Sequence, residues 1–454
     1  MRSRGRASGL LAAGLTDSWQ EYEKAVGPAV AQEDMSLFHA GIHREGWPHI
    51  FPPPLFSVAF EKELAHAARS VMDLLCAIPG RVFGGDMAAW ISFQGIADDD
   101  ARLLIRTLSA RGEAMARQFA RPDFVLTEEG PRIVEVNVSA PMGGMNTHDP
   151  YVRQFRRSGY HRFLREIGYE AGAPDMTAAW GRAFHRLVRQ APAGRRPVVF
   201  EAVADRHDLN SGRKAFEKLV GSLGFDCVSG MVQDLEIRGG GVFHQGRRVD
   251  VVFTMYTWQE TRRFVPPETT EALCDADADG LVDFVAPPTA ALYNSKSNLE
   301  ILTSPAFSSH FTAAERSFVR SCIPRTFRVT RETLEEALSG QDEWVLKPAS
   351  DYGGRGIVFG PAVAPAEWKR ILTGAARSET GHVCQRILAR PWHCPGVDAT
   401  GRREYHVCLG PLVFGGAYAG TFVRWADAES GNRVINVKRG AEAGALLTAR
   451  PAGR

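Results

Sequence analysis

Two carboxylates and one amide lie close together in a single short segment. Residues 121–144 read RPDFVLTEEGPRIVEVNVSAPMGG, with Asp123 near the start and Glu135 and Asn137 on a predicted strand. Glu135 and Asn137 are two residues apart, so their side chains point to one face of that strand. If the preceding strand pairs with it as a hairpin, Asp123 lies beside them. Carboxylate and amide oxygens suit Mg²⁺, so the segment predicts a magnesium site, although an isolated E-x-N pair would be weak evidence.

A second segment combines a lysine with a glycine-rich turn. Residues 344–360 read WVLKPASDYGGRGIVFG: a strand ends near Lys347, and a loop with Gly353, Gly354 and Gly356 leads into the next strand. Glycines let backbone N–H groups approach phosphate oxygens, and the lysine adds positive charge there. The alternative is a plain glycine hairpin, and the lysine at that offset favours the nucleotide interpretation over it. The loop is neither a Walker A motif nor a kinase loop, in which the lysine follows the glycines, so the pattern predicts a different nucleotide-phosphate site.

Apolar periodicity predicts the elements that must hold these segments. Stretches 124–126 and 133–138 read as the two strands of a hairpin around a Glu-Gly turn. An Ala-, Pro-, Gly- and Arg-rich linker is predicted at 191–197, and alternating strands and helices after it predict a small lobe with a largely parallel sheet. Helix-like periodicity occurs at 59–78, 101–119, 152–167 and 176–189.

The composition is that of an ordinary globular chain. Its 454 residues are 44% hydrophobic, which allows large cores and favours two to four lobes. A formal net charge of +2 gives no reason to expect nucleic acid or a membrane as partner, and no apolar run reaches the roughly 18 residues of a spanning helix. The seven cysteines lack C-x-x-C or zinc spacing, so a reduced, cytoplasmic protein is expected. We expect the arginine-rich start, including the apolar stretch 9–15, and the tail 440–454 to be frayed.

Together the two segments resemble the ATP-grasp superfamily. In its D-alanine–D-alanine ligase-like members, R-x-D-F, a short turn and E-x-N close the metal site, and this chain has Arg121, Asp123, Phe124, Glu135 and Asn137 in that pattern. The resemblance implies that Asp123, Glu135 and Asn137 hold Mg²⁺.

The resemblance also implies the nucleotide contacts. Lys296, in NSKSNLEIL, is similar to the lysine that begins the helix before the ATP-binding lobe, and Cys322-Ile323-Pro324 is similar to a G-I-P segment that follows it. The stretch 382–388 is similar to the linker strand whose backbone binds adenine, with glutamine where glutamate is more usual. The ATP-binding residues implied in this way are Lys296, Lys347, Gly353, Gly354, Arg355, Gly356, Gln385, Arg386 and Ile387.

The order of the motifs differs from that of an ordinary ATP-grasp chain, in which the lysine and glycine loop come first. Here Lys347 follows Glu135 by some two hundred residues. This order resembles the circularly permuted group that includes glutathionylspermidine synthase-like proteins. The resemblance implies an α/β fold, a circularly permuted ATP-grasp with an inserted Rossmann-like pre-ATP-grasp lobe. The expected parts are 1–190 with the metal-binding half, 191–292 for the Rossmann-like lobe, 293–390 for the ATP-binding lobe and 391–454 for the late strands and tail.

The activity implied by the resemblance is that of an ATP-dependent ligase, which activates a carboxylate as an acyl phosphate and joins it to an amine. Arg121 shares a strand face with Asp123, and by resemblance it stabilises the acyl phosphate or its tetrahedral adduct. The alternative for Arg121 is a surface arginine that pairs with an acid of the hairpin turn. Arg424, in GTFVRW, is similar to a late-strand residue of the permuted group, and Arg403 and Asn436 are expected to reach the same cavity.

Two rival functions stay open beside the ligase. One is a kinase-like phosphotransferase, since some ATP-grasp relatives transfer phosphate without ligation. The other is a non-catalytic nucleotide-binding regulator, against which the intact set of lysines and metal-binding oxygens argues. The expected partners are a small-molecule carboxylate and an amine, with amino acids or a peptide as candidates, and neither nucleic acid nor a membrane. The sequence names neither substrate nor an oligomeric state.

Overall fold

The computed structural model describes residues 9–42, 47–140, 142–188, 195–210, 213–351, 353–378, 381–398, 401–431 and 433–453. The helices are α1 (Ser18–Val26), α2 (Pro28–Ile42), α3 (Val58–Phe83), α4 (Met87–Phe93), α5 (Asp98–Arg106), α6 (Ala110–Ala116), α7 (Met145–Arg157), α8 (Gly159–Glu166), α9 (Met176–Leu187), α10 (Arg213–Ser222), α11 (Trp258–Phe264), α12 (Pro267–Ala278), α13 (Ala290–Asn294), α14 (Ser297–Thr303), α15 (Ala313–Cys322), α16 (Leu334–Ser339) and α17 (Pro365–Ala375). The strands are β1 (Leu55–Ser57), β2 (Phe119–Thr127), β3 (Gly130–Val138), β4 (Tyr169–Gly172), β5 (Val198–Val203), β6 (Asp226–Met231), β7 (Glu236–Arg238), β8 (Gly241–His244), β9 (Arg247–Val249), β10 (Val251–Thr254), β11 (Asp283–Val285), β12 (Thr326–Arg328), β13 (Trp344–Pro348), β14 (Val358–Phe359), β15 (His382–Arg386), β16 (His393–Asp398), β17 (Gly401–Phe414), β18 (Ala417–Asp427), β19 (Glu442–Ala445) and β20 (Leu447–Pro451).

A large antiparallel sheet forms the centre of the fold. Its strands follow the order β19-β18-β17-β2-β3, and β16 also pairs with β17. Helix α3 packs across β2, β17 and β18. Its buried residues include Leu64, Val71 and Ile78, whose spacing of seven places them on one side of the helix. The predicted hairpin is confirmed as β2 and β3, and it brings the metal-binding segment to the middle of this sheet.

A parallel sheet occupies residues 198–285, with the strand order β6-β5-β10-β11. Strands β5 and β10 are buried along their whole length, which is why both are mainly apolar, with Glu201 on β5 and Thr254 on β10 as the exceptions, rather than alternating. The predicted parallel sheet is therefore confirmed. Within residues 240–254, β8 and β9 pair with each other as a hairpin, while β10 joins the parallel sheet.

A smaller antiparallel sheet carries the glycine loop. Its strands follow the order β12-β15-β13-β14, and the loop connects β13 to β14. Phe327 and Trp344 on the sheet and Trp368 on α17 form a separate buried cluster behind it. This cluster fixes the strand that presents Lys347.

Two predicted helices are each broken by a capping serine. The helix predicted at 101–119 is wrong as a single unit: α5 ends at Arg106, α6 begins after Ser109, and β2 already begins at Phe119. The Ser109 hydroxyl accepts a hydrogen bond from the backbone of α6, and Ser158 does the same between α7 and α8. Apolar periodicity does not register such caps, because the apolar spacing continues across them.

The two segments expected to be frayed are packed. In the stretch 9–15, Leu10 and Leu15 are buried, and the carbonyl of Leu10 accepts a hydrogen bond from the backbone of β1. Near the other end, β19 pairs with β18, and β20 lies between β1 and β4. The predicted fraying is wrong because these strands are held by distant partners that composition does not reveal. Residues 1–8 and residues 191–194 of the linker predicted at 191–197 lie outside the described residues.

Among the described residues, a single helix long and apolar enough to cross a membrane is absent. Helices α3 and α4 meet that criterion only together, across a bend of 108°.

Candidate active site

The predicted metal ligands stand opposite one another on paired strands. Asp123 on β2 is in register with Glu135 on β3, and Arg121 is in register with Asn137. A bulge after Asp123 leaves Val134 without a partner residue on β2, and the Val134 carbonyl instead accepts a hydrogen bond from Lys347. The hairpin thus brings the oxygen donors together, and their role as metal ligands stays a prediction.

Asp123 is held between two arginines. Its Oδ1 lies 2.9 Å from Nε of Arg121 and 2.8 Å from Nη2 of Arg424, and all three side chains are buried. Burial alone would raise the pKa of Asp123, but the two guanidinium groups together lower it to about 2. The carboxylate is therefore ionised at neutral pH.

Arg121 is fixed along the length of its side chain. Its Nη1 donates to the carbonyl of Gly143 at 2.7 Å, and a Cβ on Gly410 of β17 would lie only 2.8 Å from its Cδ. The Phe422 ring lies within 6 Å of the guanidinium groups of both Arg121 and Arg424. Arg121 is only 8% exposed, so the alternative of a surface arginine paired with the hairpin turn is wrong.

Two buried lysines, Lys347 and Lys296, lie close to the strand pair that carries Asp123 and Glu135. Lys347 Nζ lies 2.6 Å from Oε1 of Gln385, while Lys296 Nζ donates to the carbonyl of Asp351 at 2.9 Å and lies 3.5 Å from Oε1 of Glu135. Burial lowers the pKa of Lys347 to about 8, with Glu135 opposing this shift and Lys296 adding to it. Two cationic groups and the carboxylates therefore meet in one place.

The glycine loop lies against a late loop that connects β18 to β19. Gly353 and Gly354 both have positive φ, +71° and +75°. Arg439 Nη2 donates to the Gly354 carbonyl at 3.1 Å, and a Cβ on Gly354 would lie 2.8 Å from Cγ1 of Val434. Glycine is required here both by the backbone conformation and by the close approach of the two loops.

These elements enclose a cleft between the central sheet and the glycine-loop sheet, with a volume of about 490 Å³. Gln385 is buried there and donates from Nε2 to Oγ1 of Thr326 at 3.2 Å. The residues singled out from the sequence that line this cleft are Arg121, Asp123, Glu135, Asn137, Lys347, Gly353, Gly354, Gln385, Arg386, Ile387, Arg424 and Asn436.

Other expected residues lie further from the cleft. Arg355 and Gly356 are exposed at the tip of the glycine loop, and Lys296 reaches the site only through its contact with the metal-binding face. Arg403 forms an ion pair with Asp427. It is an odd-numbered residue of β17, whereas the β17 residues that line the cleft, His406 and Cys408, are even-numbered. The expectation that Arg403 reaches the cavity is therefore wrong, because side chains alternate between the two faces of a strand.

Sequence reasoning missed two cleft residues on β17, His406 and Cys408. Residues 405–414, YHVCLGPLVF, are rich in apolar and β-branched residues, and on a strand His406 and Cys408 are two apart and share a face, which is the signal that could have found them. Burial raises the pKa of the Cys408 thiol to about 12, and Arg424 Nη2 lies 3.0 Å from its sulfur. The thiol is therefore a packed neutral group rather than a nucleophile.

A second cavity of about 440 Å³ adjoins the cleft and extends to the carboxyl ends of β5, β10 and β11. The residues that line both spaces are Arg121, Asn137, Gly353, Arg424 and Asn436. The junction of the two spaces is therefore cationic and amide-rich. The only sequence signal for this cavity is the predicted parallel sheet, because ligands of such sheets bind at the carboxyl edge.

Comparison with known proteins supports the fold. No family model matches the chain, and no curated protein matches it. Among solved structures it is similar to a glutathione synthetase-like effector from Globodera pallida, with 14% identity, a TM-score of 0.54, and coverage of 94% of this chain and 95% of that one. For a putative gamma-glutamylcysteine synthetase from Methylobacillus flagellatus, the identity is 11%, the coverage 87% and 88% and the TM-score 0.45. For the ATP-grasp ligase PsnB complexed with minimal precursor, the values are 12%, 53% and 89%, and 0.31. At 14% identity, the likeness to the effector is one of fold alone.

Proposed function

Since this chain has an ATP-grasp-like α/β fold, we propose that it is an ATP- and Mg²⁺-dependent ligase that joins a carboxylate to an amine. One observation carries the proposal. Asp123 and Glu135 stand opposite each other on paired strands, and Lys347 and Lys296 approach the same face from the glycine-loop side. A nucleoside triphosphate with its metal needs both groups, since carboxylates bind the metal and ammonium groups bind the phosphate oxygens.

The oxygen donors on β2 and β3 fit a magnesium ion. Asp123 keeps its charge, Glu135 is in register with it, and Asn137 adds an amide oxygen to the same face. Both carboxylates pair with cationic side chains in the structure, so a divalent ion would take over charges that arginine and lysine now neutralise. When bound, Mg²⁺ would offset phosphate charge in the cleft.

The nucleotide is proposed to lie along the cleft. Lys347 and the backbone of Gly353 and Gly354 would bind its phosphates. The strand end at Gln385, Arg386 and Ile387 would hold the adenine through backbone groups, while Lys296, Arg355 and Gly356 would complete the phosphate contacts. The circularly permuted order, the inserted Rossmann-like lobe and the four-part division of the chain belong to the same proposal. Their support is that the metal-binding strands precede the glycine loop, with the parallel sheet between them.

The reaction that fits this arrangement has two steps. An oxygen of the substrate carboxylate attacks the γ-phosphorus of ATP, the bond to the β–γ bridging oxygen breaks, and ADP leaves. The amine nitrogen then attacks the carbonyl carbon of the acyl phosphate, inorganic phosphate leaves, and the nitrogen loses a proton. Arg121 and Arg424 line both the cleft and the adjoining cavity, so their guanidinium groups are suited to bind the oxygens on which charge grows. Small-molecule or peptide biosynthesis is the proposed setting.

The test measures ADP release with pairs of carboxylic acids and amines, amino acids and small peptides among them. With a carboxyl-¹⁸O acid, the ligase reaction delivers label to inorganic phosphate. If ADP forms while all label stays in the acid, phosphate goes to another group, and the kinase-like function replaces the ligase. If the protein binds ATP but releases ADP with no pair, the non-catalytic nucleotide-binding function is favoured instead.

A further inference from the structure

The segment that leads from β13 into the glycine loop is held by three consecutive backbone carbonyls. The Ala349 carbonyl accepts a hydrogen bond from the backbone N–H of Lys296 at 2.8 Å, and the Asp351 carbonyl accepts one from Lys296 Nζ at 2.9 Å. The Ser350 carbonyl between them accepts a hydrogen bond from Nε2 of Gln259. Strand β13 ends at Pro348, so these contacts, rather than the ladder of the sheet, fix the path of the chain towards the glycines.

The donors come from two separate parts of the chain. Lys296 precedes the first residue of α14 and belongs to the part that carries the glycine loop. Gln259 lies in the first turn of α11, which follows β10 of the parallel sheet. The entry to the glycine loop is therefore bound both by its own part of the fold and by the parallel-sheet part, and the second link depends on a single side chain.

Helix α11 gives Gln259 a firm support. The helix begins with a capping box, which satisfies backbone groups of its first turn. Trp258 Nε1 donates to Oδ2 of Asp100 on α5 at 3.3 Å, and Arg262 forms an ion pair with the same carboxylate. Residues on both sides of Gln259 are thus tied to another helix, so the amide of Gln259 projects from a backbone that is already held in place.

The hydrogen bond from Gln259 lies where the two spaces of the site meet. Gln259, Ser350 and Gly353 all line the second cavity, and Gly353 also lines the nucleotide cleft. Gln259 itself is not among the described residues that line the cleft. It can therefore act on a nucleotide there only through the segment that it holds.

A fixed entry matters because of the residues that follow it. Gly353, Gly354 and Gly356 all have positive φ, a conformation that glycine adopts freely among several others. A glycine-rich loop consequently loses much conformational entropy when a ligand orders it. Fixing the residues just before the glycines limits the positions open to the free loop, so less entropy remains to be lost when phosphates bind.

We propose that Gln259 is a positioning residue for phosphate binding, whose amide holds the Ser350 carbonyl and so prepares the glycine loop for the triphosphate. The inference rests on the proposed function, because it takes the glycine loop as the phosphate site. It gives the parallel-sheet part of the chain a role in nucleotide affinity, although none of the residues of that part lies in a nucleotide-binding motif of the sequence.

Two ligands that differ in their phosphates test the proposal. Gln259→Met keeps the length of the side chain and removes the donor. Affinity for a non-hydrolysable ATP analogue with Mg²⁺ is measured by calorimetry on the full chain, and affinity for adenosine by its competition with the analogue. The variant should bind the analogue about fivefold more weakly, as expected for one neutral hydrogen bond, and should bind adenosine as the wild type does, because adenosine has no phosphates.

The matched control is Gln154→Met, which removes a similar contact elsewhere. Gln154 Nε2 donates to the carbonyl of Leu37 at 3.2 Å, between α7 and α2, and neither residue lines the cleft or the second cavity. This variant should bind both ligands as the wild type does. Denaturant unfolding of both variants measures their stability, so that a loss of analogue affinity in Gln259→Met can be compared with any loss of folding free energy.

Two results would overturn the inference. Equal analogue affinity in Gln259→Met and the wild type would show that the bond to Ser350 does not influence phosphate binding. An equal loss for the analogue and adenosine would mean that the variant disturbs the whole cleft, which is a structural role and not a positioning one. If adenosine does not compete even in the wild type, stability decides: weaker analogue binding supports the inference when both variants are equally stable, and overturns it when Gln259→Met alone is destabilised.

A variant that does not fold has a substitute. Gln259→Asn keeps the amide but is one methylene shorter, so it should fail to reach the Ser350 carbonyl, and the same outcomes apply to it. Failure of the proposed function is distinct from all of these. If the wild-type protein does not bind the ATP analogue, the proposed function is wrong; if it binds the analogue and the variants behave as the wild type does, only the role of Gln259 is wrong.

Discussion

Lys347 Nζ lies 2.6 Å from Oε1 of Gln385, so a buried ammonium group is bound by a neutral amide rather than a carboxylate. A carboxylate at position 385 would stabilise the charged lysine, whereas the amide oxygen contributes only a dipole. Burial therefore lowers the pKa of Lys347 to about 8. The charge that is proposed to hold the phosphates is lost just above neutral pH.

We predict that affinity for Mg²⁺-ATP falls as the pH rises from about 7 to about 9, because the protonated form of Lys347 binds phosphate and its pKa is about 8. Gln385→Glu should raise that pKa and move the loss of affinity to higher pH. Calorimetry at several pH values measures both profiles, and coincident profiles would contradict the assignment.

The stability of the protein without nucleotide serves as the control for this pH effect. The pKa of Lys347 is lower in the folded state than its ordinary value of 10.5, so the unfolded chain binds more protons between about pH 8 and 10.5. The contribution of this group to the free energy of unfolding therefore rises with pH in that window. Loss of ATP affinity without a matching loss of stability would separate the site effect from unfolding.

Removal of the same ammonium group should weaken nucleotide binding directly. Lys347→Ala is expected to reduce ATP affinity at least about tenfold, or about 1.4 kcal/mol. Lys369→Ala, which changes an exposed lysine on α17, is the matched control and should bind ATP as the wild type does. Equal affinities in the two variants, measured by calorimetry, would remove Lys347 from the site.

Replacing the carboxylates of Glu135 and Asp123 by amides should have different effects. Glu135→Gln should suppress turnover and raise the Mg²⁺ concentration required, with the fold intact by circular dichroism, because its side chain is 21% exposed and the shape is kept. Asp123→Asn should in addition lower the free energy of unfolding by about 3–5 kcal/mol, since it leaves two buried arginines without their shared carboxylate. Denaturant unfolding and Mg²⁺ titration distinguish the two effects, and wild-type activity in Glu135→Gln would show that the metal lies elsewhere.

Arg121 should act on the rate rather than on nucleotide binding. Arg121→Ala is predicted to lower kcat by about 10²–10³, the usual loss when a donor to a developing oxyanion is removed. ATP affinity should change little, because the proposed partner of the guanidinium group is the acyl group and its adduct. Hydroxylamine in place of the amine should trap a hydroxamate with the wild type, and trapping should slow in the variant. A variant that loses ATP affinity but keeps kcat would assign Arg121 to the nucleotide instead.

The glycine loop offers a matched pair of alanine substitutions. Gly353 and Gly354 have similar positive φ, so alanine strains both backbones by a similar amount, about 1 kcal/mol. A Cβ at Gly354 would also lie 2.8 Å from Cγ1 of Val434, whereas nothing lies within 4 Å of one at Gly353. Gly354→Ala should therefore separate the two loops and weaken ATP binding more than Gly353→Ala does. Equal effects would mean that contact with the late loop plays no part in nucleotide binding.

The parts of the site that could be predicted from the sequence are those fixed by short-range geometry within one segment. The shared face of Glu135 and Asn137 follows from the two-residue period of a strand, and the place of Asp123 opposite Glu135 follows from a short hairpin turn. Lys347 reaches this face from more than two hundred residues away, so only the family resemblance could bring the two segments together. The second cavity depends on how three strands, two loops and the central sheet meet, and no local pattern records that.

Two expectations were wrong, each for its own reason. Composition suggested that the segment 440–454 would be loose, but Leu447 is fully buried because β20 lies between β1 and β4. Arg403 was expected in the cavity because it lies on a late strand, but the alternation along β17 turns it away. For the tail, the outcome depended on which distant strands were its neighbours, and for Arg403 it depended on which face of β17 is turned towards the cleft.

The pairing of β20 with β1 joins residues almost four hundred positions apart, Leu55 with Leu447. During synthesis on the ribosome, β1 can therefore pair with β20 only after nearly the whole chain has been made. Contacts between residues so far apart in sequence slow folding, because the entropy of the intervening chain is lost before the contact contributes any stabilisation. Until then, apolar residues packed along this edge, Phe56 among them, lack part of their final cover, and exposed apolar surface of this kind promotes aggregation.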